Sequence, residues 1–126
     1  MASTLVRIKR IYEPAVKSDG YRILVDRLWP RGVSKAAARI DLWMRDIAPS
    51  TALRRWFNHD PAKWEEFCER YRTELREQQP LLDAVRQQAK DGPVTLVYSA
   101  RDERFNQAVA LKLVLKQSIT RKRSTT

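Results

Sequence analysis

The chain has 126 residues, of which 43% are hydrophobic and 32% are charged, which excludes a disordered chain and indicates one domain with its own core. A single cysteine excludes an internal disulfide, and no apolar run is long enough for a transmembrane helix. The net charge of +10 favours an anionic partner, although four of the positive charges lie near the C-terminus, at Lys116, Arg121, Lys122 and Arg123. With no signal-peptide pattern in the first ten residues, we expect a cytoplasmic protein without a membrane partner.

The first third of the sequence predicts two strands. Residues 6–11 alternate apolar and basic side chains, which is typical of a half-exposed strand. Residues 23–25 form an unbroken apolar run that ends at Asp26, as in a strand covered on both faces. Pro30 lacks an N–H and Gly32 favours a bend, so we expect a loop to follow.

The middle of the sequence predicts helices with one ambiguous segment between them. Ser34 can cap a short helix, whereas residues 40–43 suit either a strand or the start of another helix. Ser50 or Thr51 can cap a helix that runs to about Phe57.

The pair Asp60-Pro61 is expected to open the longest helix, because Asp suits the N-cap and Pro suits the first helical position. Spacings of three and four residues place five side chains on one face: Trp64, Phe67, Cys68, Tyr71 and Leu75. A core-packed face is favoured over a cofactor or partner groove, so Cys68 is predicted to be buried and unreactive.

The last third predicts a helix after Pro80 that ends before Gly92, a second buried strand at residues 94–98, and a final helix. Strands separated by helices indicate an α/β fold. We predict a single three-layer-like domain over residues 1–116, with a small, mainly parallel sheet flanked by helices. Residues 117–126 are predicted to be a basic, disordered tail.

Two loops should follow the carboxyl ends of the two apolar strands, where open α/β sheets bind ligands. They bring eight candidate ligand-binding residues: Asp26, Arg27, Trp29, Arg31, Ser99, Arg101, Asp102 and Asn106. The sequence predicts a pocket for a small anionic molecule, such as a nucleotide or a phosphorylated metabolite. The structural alternative is that the charged members pair with each other and tie the loops down.

In this hypothesis the anion is held by the arginine side chains of the two loops, Arg27, Arg31 and Arg101. A guanidinium group binds phosphate through two parallel hydrogen bonds. Trp29 would stack on a flat group, and Asp26 or Asp102 would be the acid or base of any reaction. A metal site and a cofactor are not expected, since the chain has one histidine, no Cys/His cluster and no Gly-rich phosphate loop.

Two further functions stay open at this stage. The basic composition allows a nucleic-acid-binding or regulatory protein that contacts the backbone without sequence specificity, although no reading motif is present. The third hypothesis is a small interaction protein whose loops are purely structural.

Three stretches of the sequence, at residues 18–32, 47–54 and 95–100, closely resemble the YeaO-like branch of the "domain of unknown function 488" family. The most specific tract runs from Asp26 to Gly32, Asp-Arg-Leu-Trp-Pro-Arg-Gly. The resemblance covers residues 5–116 and implies the family's fold but no settled activity. Many members of the wider family carry Cys-Ala-Glu and Cys-His-Arg where an ungapped comparison places residues 98–100 and 106–108 of this chain. Thiol or metal chemistry of such relatives is therefore not carried over.

Overall fold

One small parallel sheet forms the centre of the molecule. The computed structural model describes residues 6–124, with side chains through residue 116. The strands found in this part of the chain are β1 (Val6–Arg10), β2 (Tyr21–Leu24), β3 (Leu42–Trp43) and β4 (Val94–Tyr98). They pair in the order β1-β4-β2-β3, and every pair is parallel. The prediction of an α/β domain is confirmed, and the two apolar strands, β2 and β4, are neighbours as expected.

Helices occupy most of the rest of the described chain: α1 (Lys35–Ala38), α2 (Thr51–Phe57), α3 (Trp64–Leu75), α4 (Gln79–Asp91) and α5 (Gln107–Ser124). The prediction that Asp60 opens the longest helix is wrong. The Asp60 side chain accepts the Ala62 N–H and begins a short 3₁₀ turn, after which α3 runs for 12 residues, against 18 in α5. The ambiguous residues 40–43 contain a strand, because Leu42 and Trp43 pair with β2.

The sheet face that packs against the long helices is apolar, and we call it the helical face. Side chains alternate between the two faces of a strand, so Ile23 and Leu96 share this face. They belong to one core cluster with Phe67, Tyr71 and Leu111 from the helices, all of them buried. The predicted apolar face of α3 is therefore core packing.

The opposite face of the sheet, here the loop face, is covered mainly by residues 29–43. Leu24 and Val97 lie on this face, in a second cluster with Ile11 and Ala38. The partly buried side chains packed against that cluster all come from the covering segment: Trp29, Val33, Ile40 and Trp43. A loop with one short helix thus replaces the full helical layer that covers the other face.

The amino end of the loop face holds a buried ion network around Asp19, which lies just before β2. The Asp19 carboxylate accepts bonds from Lys9 Nζ at 3.1 Å and Arg22 Nη1 at 2.6 Å. Both Asp19 and Arg22 are less than 5% exposed, and the remaining Arg22 donors bond to the Ala38 carbonyl. Burial alone would raise the pKa of Asp19, but bonds from the Val16 N–H, Lys9 and Arg22 outweigh it and lower the pKa.

Residues 47–50, one of the family-like stretches, are fastened to α3. The Tyr71 hydroxyl donates to the Ile47 carbonyl at 2.5 Å, and burial raises the pKa of this tyrosine. Glu74 accepts from both the N–H and the hydroxyl of Ser50, at 2.8 and 2.5 Å. The same hydroxyl oxygen accepts the Leu53 N–H and so caps α2, as predicted. The start of α2 is therefore fixed by two side chains of α3.

Cys68 departs from its prediction, because its side chain is partly buried and not fully enclosed. It still packs against the main core cluster. Burial raises the pKa of the thiol, and the nearby Arg72 opposes that rise. A raised thiol pKa keeps the thiolate fraction low, which agrees with the expected low reactivity.

The predicted tail, residues 117–126, begins where the described side chains end. The backbone of α5 continues through Ser124, and the domain boundary after Lys116 stays a prediction. Within residues 6–124, no helix is long and apolar enough to cross a membrane. The cytoplasmic location also stays a prediction.

Candidate functional site

The two predicted loops meet at the carboxyl end of the sheet, where Asp26 is shared by three elements. The Ser99 hydroxyl, just after β4, donates to Asp26 Oδ2 at 2.5 Å. The Gln107 amide, in the first turn of α5, donates to Asp26 Oδ1 at 2.6 Å. The Asp26 carbonyl accepts the Trp43 indole N–H at 2.8 Å. One residue, Asp26, therefore ties the end of β2 to β3, β4 and α5. We call Asp26, Ser99 and Gln107 together the Asp26 network.

Burial dominates the electrostatics of this carboxyl. Asp26 is 9% exposed, and burial raises its pKa. Bonds from Ser99 and Gln107 and the positive charge of Arg54 act in the opposite direction without cancelling that effect. Arg54 belongs to α2 and its side chain is exposed, so the positive charge that acts on this buried acid lies at the protein surface.

Arg27 and Trp29, predicted to bind ligand, are committed to the protein itself. The Arg27 guanidinium donates to the Ala48 carbonyl at 3.0 Å and to the Pro49 carbonyl at 3.3 Å. The Trp29 indole N–H donates to the Val33 carbonyl at 2.7 Å, and its ring meets Trp43 edge-on with centroids 5.5 Å apart. These contacts fix the loop after β2 against neighbouring backbone.

Asp102 and Asn106 shape the turn that leads into α5. Asp102 Oδ1 accepts the N–H groups of Arg104 and Phe105, and these bonds lower its pKa. Asn106 is buried, and its Oδ1 accepts the Val109 N–H as a helix cap. Both side chains therefore act first on local backbone.

Arg31 and Arg101 have exposed side chains, one on each loop. The Arg31 carbonyl accepts the Tyr12 hydroxyl at 3.3 Å. Arg10, at the end of β1, donates to the Ala100 carbonyl at 2.8 Å and so supports the second loop. Two pairs of the eight candidates are in direct contact: the Ser99 hydroxyl donates to Asp26, and the Asn106 amide donates to the Asp102 carbonyl at 2.8 Å. The pairing that the structural alternative expected is not found: among the described side chains no ion pair joins two of its charged members, and Arg27 and Asp102 bond to backbone groups instead.

Three residues of the site were missed from the sequence: Trp43, Arg54 and Gln107. A signal existed for two of them. Arg54 lies in the family-like stretch at residues 47–54, and Gln107 lies at the positions where many wider relatives carry Cys-His-Arg. Neither residue belongs to a recognisable chemical motif in the sequence. Single arginines on helices and single glutamines in first turns are common on solvated surfaces.

Comparisons with known proteins show which family this chain belongs to. A family model described as the inactive DUF488-N3 subclade matches residues 5–126. The chain belongs to this subclade. A DUF488-N3 relative in Escherichia coli (strain K12), named uncharacterized protein YeaO, is 43% identical over 106 residues, which is 84% of this chain and 92% of the relative.

Mycobacterial proteins are similar over a comparable length. The uncharacterized protein Rv3073c of Mycobacterium tuberculosis (strain H37Rv) is 38% identical over 112 residues, covering 89% of this chain and 94% of its own length. The uncharacterized protein Mb3100c of Mycobacterium bovis has the same identity and coverage. No solved structure matches this DUF488-N3 chain.

Proposed function

We propose that this chain is a non-catalytic binding protein for a small anionic ligand, such as a nucleotide or a phosphorylated metabolite, at the carboxyl end of the sheet. One observation carries the proposal: the loops after β2 and β4 meet at Asp26. That position is where open α/β sheets bind ligands. The exposed Arg54 of α2 adds a positive charge that acts on this carboxyl.

Several features at this end of the sheet favour an anion. A guanidinium can hold a phosphate or carboxylate through two parallel hydrogen bonds. Arg31 and Arg101 are exposed on the two loops that leave the same end of the sheet. Helix α5 also begins there, at Gln107, and the positive end of a helix dipole attracts negative charge. Arg54 takes the anion-binding role that the sequence assigned to Arg27.

The environment of Asp26 and the description of the family support binding without catalysis. Both oxygens of Asp26 already accept hydrogen bonds, and the carboxyl is nearly enclosed, so it is poorly placed to exchange a proton with a ligand. Gln107 supplies a neutral amide that cannot titrate. The matching subclade is described as inactive, which agrees with this arrangement.

The proposal is tested by calorimetry and thermal unfolding with nucleoside phosphates and sugar phosphates. A ligand at a hundredfold excess over its dissociation constant should stabilise the fold by about 2.7 kcal/mol. Arg54→Ala should remove this stabilisation. Arg55→Ala is the matched control, because Arg55 is the adjacent exposed arginine of the same helix, and it should keep the effect.

Two outcomes would contradict the proposal. Equal losses in the Arg54 and Arg55 variants would indicate general charge attraction and not a site. Strong, salt-sensitive binding of duplex DNA by a chain that lacks residues 117–126 would favour the nucleic-acid function instead, since each neutralised phosphate contributes about −0.9 to the log–log salt slope.

A further inference from the structure

We propose that the loop at residues 26–32 presents Leu28 as the anchor for an acidic peptide segment of a partner protein. This inference goes beyond the anion site, with which it shares Arg31, because it rests on how the loop is held and on what it leaves exposed. Leu28 is 69% exposed, more than any other large hydrophobic side chain among those that the structure describes.

The loop is rigid on both sides of Leu28. Asp26 is held by Ser99 and Gln107, and Arg27 is bonded to two backbone carbonyls. On the other side, Trp29 is bonded through its indole N–H and Pro30 is buried. The side chain next to Leu28 in each direction is thus fixed by the body of the protein, whereas Leu28 itself projects into solvent.

A rigid loop with one projecting aliphatic side chain is suited to binding. Ordering a flexible loop on association costs free energy, and this loop is already ordered by its own contacts. Burying a leucine side chain is favourable, because it removes apolar surface from water. Leu28 therefore offers the binding energy of one anchor residue with little loss of conformational entropy.

A charge in the same loop indicates the kind of partner. Arg31 lies exposed three residues after Leu28, and its carbonyl accepts the hydroxyl of Tyr12, which is 51% exposed. An exposed apolar anchor with an exposed arginine in the same loop is complementary to a segment that carries both apolar and acidic residues. A second copy of this chain, with its net charge of +10, is disfavoured.

A membrane surface has a similar chemistry but is the weaker candidate. A single inserted myristoyl chain gives only marginal, reversible membrane binding, and one leucine buries far less apolar surface. A protein segment can add backbone and side-chain contacts around the anchor, and it can bring carboxylates to Arg31. The peptide is therefore the occupant that these observations favour.

The test uses random peptides displayed on phage and selected on the full-length chain. Enriched peptides should combine acidic and apolar residues, and labelled synthetic copies should bind in fluorescence anisotropy. Leu28→Ser should weaken their binding about tenfold or more, which corresponds to about 1.4 kcal/mol. Leu113→Ser is the matched control, because Leu113 is a 43% exposed leucine on α5, and it should leave affinity within about twofold.

Further variants separate the remaining explanations. Arg31→Glu should weaken the acidic peptides, and Arg54→Ala should not, so failure of the anion site leaves this result unchanged. Circular dichroism and urea unfolding verify that Leu28→Ser is folded, as its exposure predicts. Peptide selection that ignores Leu28, or enriched peptides without acids, would overturn the proposal. Leu28-dependent binding to phosphatidylglycerol–phosphatidylcholine vesicles without peptide binding would also overturn it, in favour of a membrane.

Discussion

Two buried carboxyl groups bracket the same strand and have opposite chemistry. Asp19 precedes β2 and meets two cations, Lys9 and Arg22, which leave its pKa lowered. Asp26 follows β2, accepts bonds from neutral donors, and has a raised pKa because burial outweighs those bonds. The amino end of the sheet therefore stabilises a charge, whereas the carboxyl end encloses an acid whose charged form is disfavoured.

Because of this difference, the two ends of the sheet contribute to stability with opposite dependence on pH. A folded-state pKa that is lowered adds stability above the unfolded-state pKa of about 3.9, and that stability is lost as the pH falls through the folded pKa. A folded-state pKa that is raised has the reverse effect, and its stabilisation is lost as the pH rises through the folded pKa. Near neutral pH, Asp19 thus supports the fold and Asp26 opposes it.

The largest expected effect is at the amino end. Asp19→Ala leaves the Arg22 guanidinium, which is 3% exposed, without its carboxylate partner. Removing one member of a buried ion pair costs about 3–5 kcal/mol, and we expect that loss in the free energy of unfolding, measured by urea titration at neutral pH. Glu66→Ala breaks an exposed pair with Arg70 and should cost less than about 1 kcal/mol. Similar costs for the two variants would refute the structural role of the Asp19 network.

An intermediate effect on the free energy of unfolding should distinguish Arg27 from Arg31, the two arginines of the loop after β2. Arg27→Ala removes the donors to the carbonyls of Ala48 and Pro49, and we expect a loss of about 1–2 kcal/mol in unfolding free energy. Arg31→Ala, at an exposed side chain of the same loop, should change stability by less than about 0.5 kcal/mol. Thermal and urea unfolding of both variants measure the difference. An equally stable Arg27 variant would show that the carbonyl contacts do not fix the loop.

The smallest effect concerns the pH dependence of Asp26. Asp26→Asn replaces one acceptor of the network by an amide donor, so we expect a loss of about 1 kcal/mol near pH 4. The difference from the unmodified chain should shrink as the pH rises to about 7, because only the aspartate must then carry a buried charge. Urea titrations across this range give the comparison. If the gap widened with pH, the ionised form of Asp26 would be the one that the fold favours.

The sequence predicted the parts of this comparison that depend on strand ends. An apolar run that stops at Asp26, and another that stops before Ser99, correctly placed both residues at one end of a parallel sheet. The Asp19 network could not be predicted, because nothing in the local sequence pattern shows that Lys9 and Arg22 point to the same face of the sheet. That placement depends on the register of β1, β4 and β2, which periodicity within one strand cannot supply.

Side-chain roles were harder to predict than positions. Arg27 and Trp29 lie where the sequence placed them, yet their donors bond to backbone carbonyls and not to solvent. Backbone acceptors carry no residue identity, so a sequence does not reveal which of them lack a partner. Gln107 bonds to Asp26 because α5 begins at the same end of the sheet, and the spacing of the two residues in the chain gives no indication of this. The same is true of the positive charge of Arg54, which acts on Asp26 from α2.

The strand order also bears on how the protein behaves at high concentration. An open sheet edge is a template for edge-to-edge growth into aggregates. In the described sheet one outer strand, β3, is only two residues long, and the other, β1, carries the exposed Arg7 and the partly buried Arg10. Short edges and basic edges are both poor templates, because they limit backbone pairing and repel a like-charged copy. The two edges of this open parallel sheet are therefore protected against edge-to-edge aggregation.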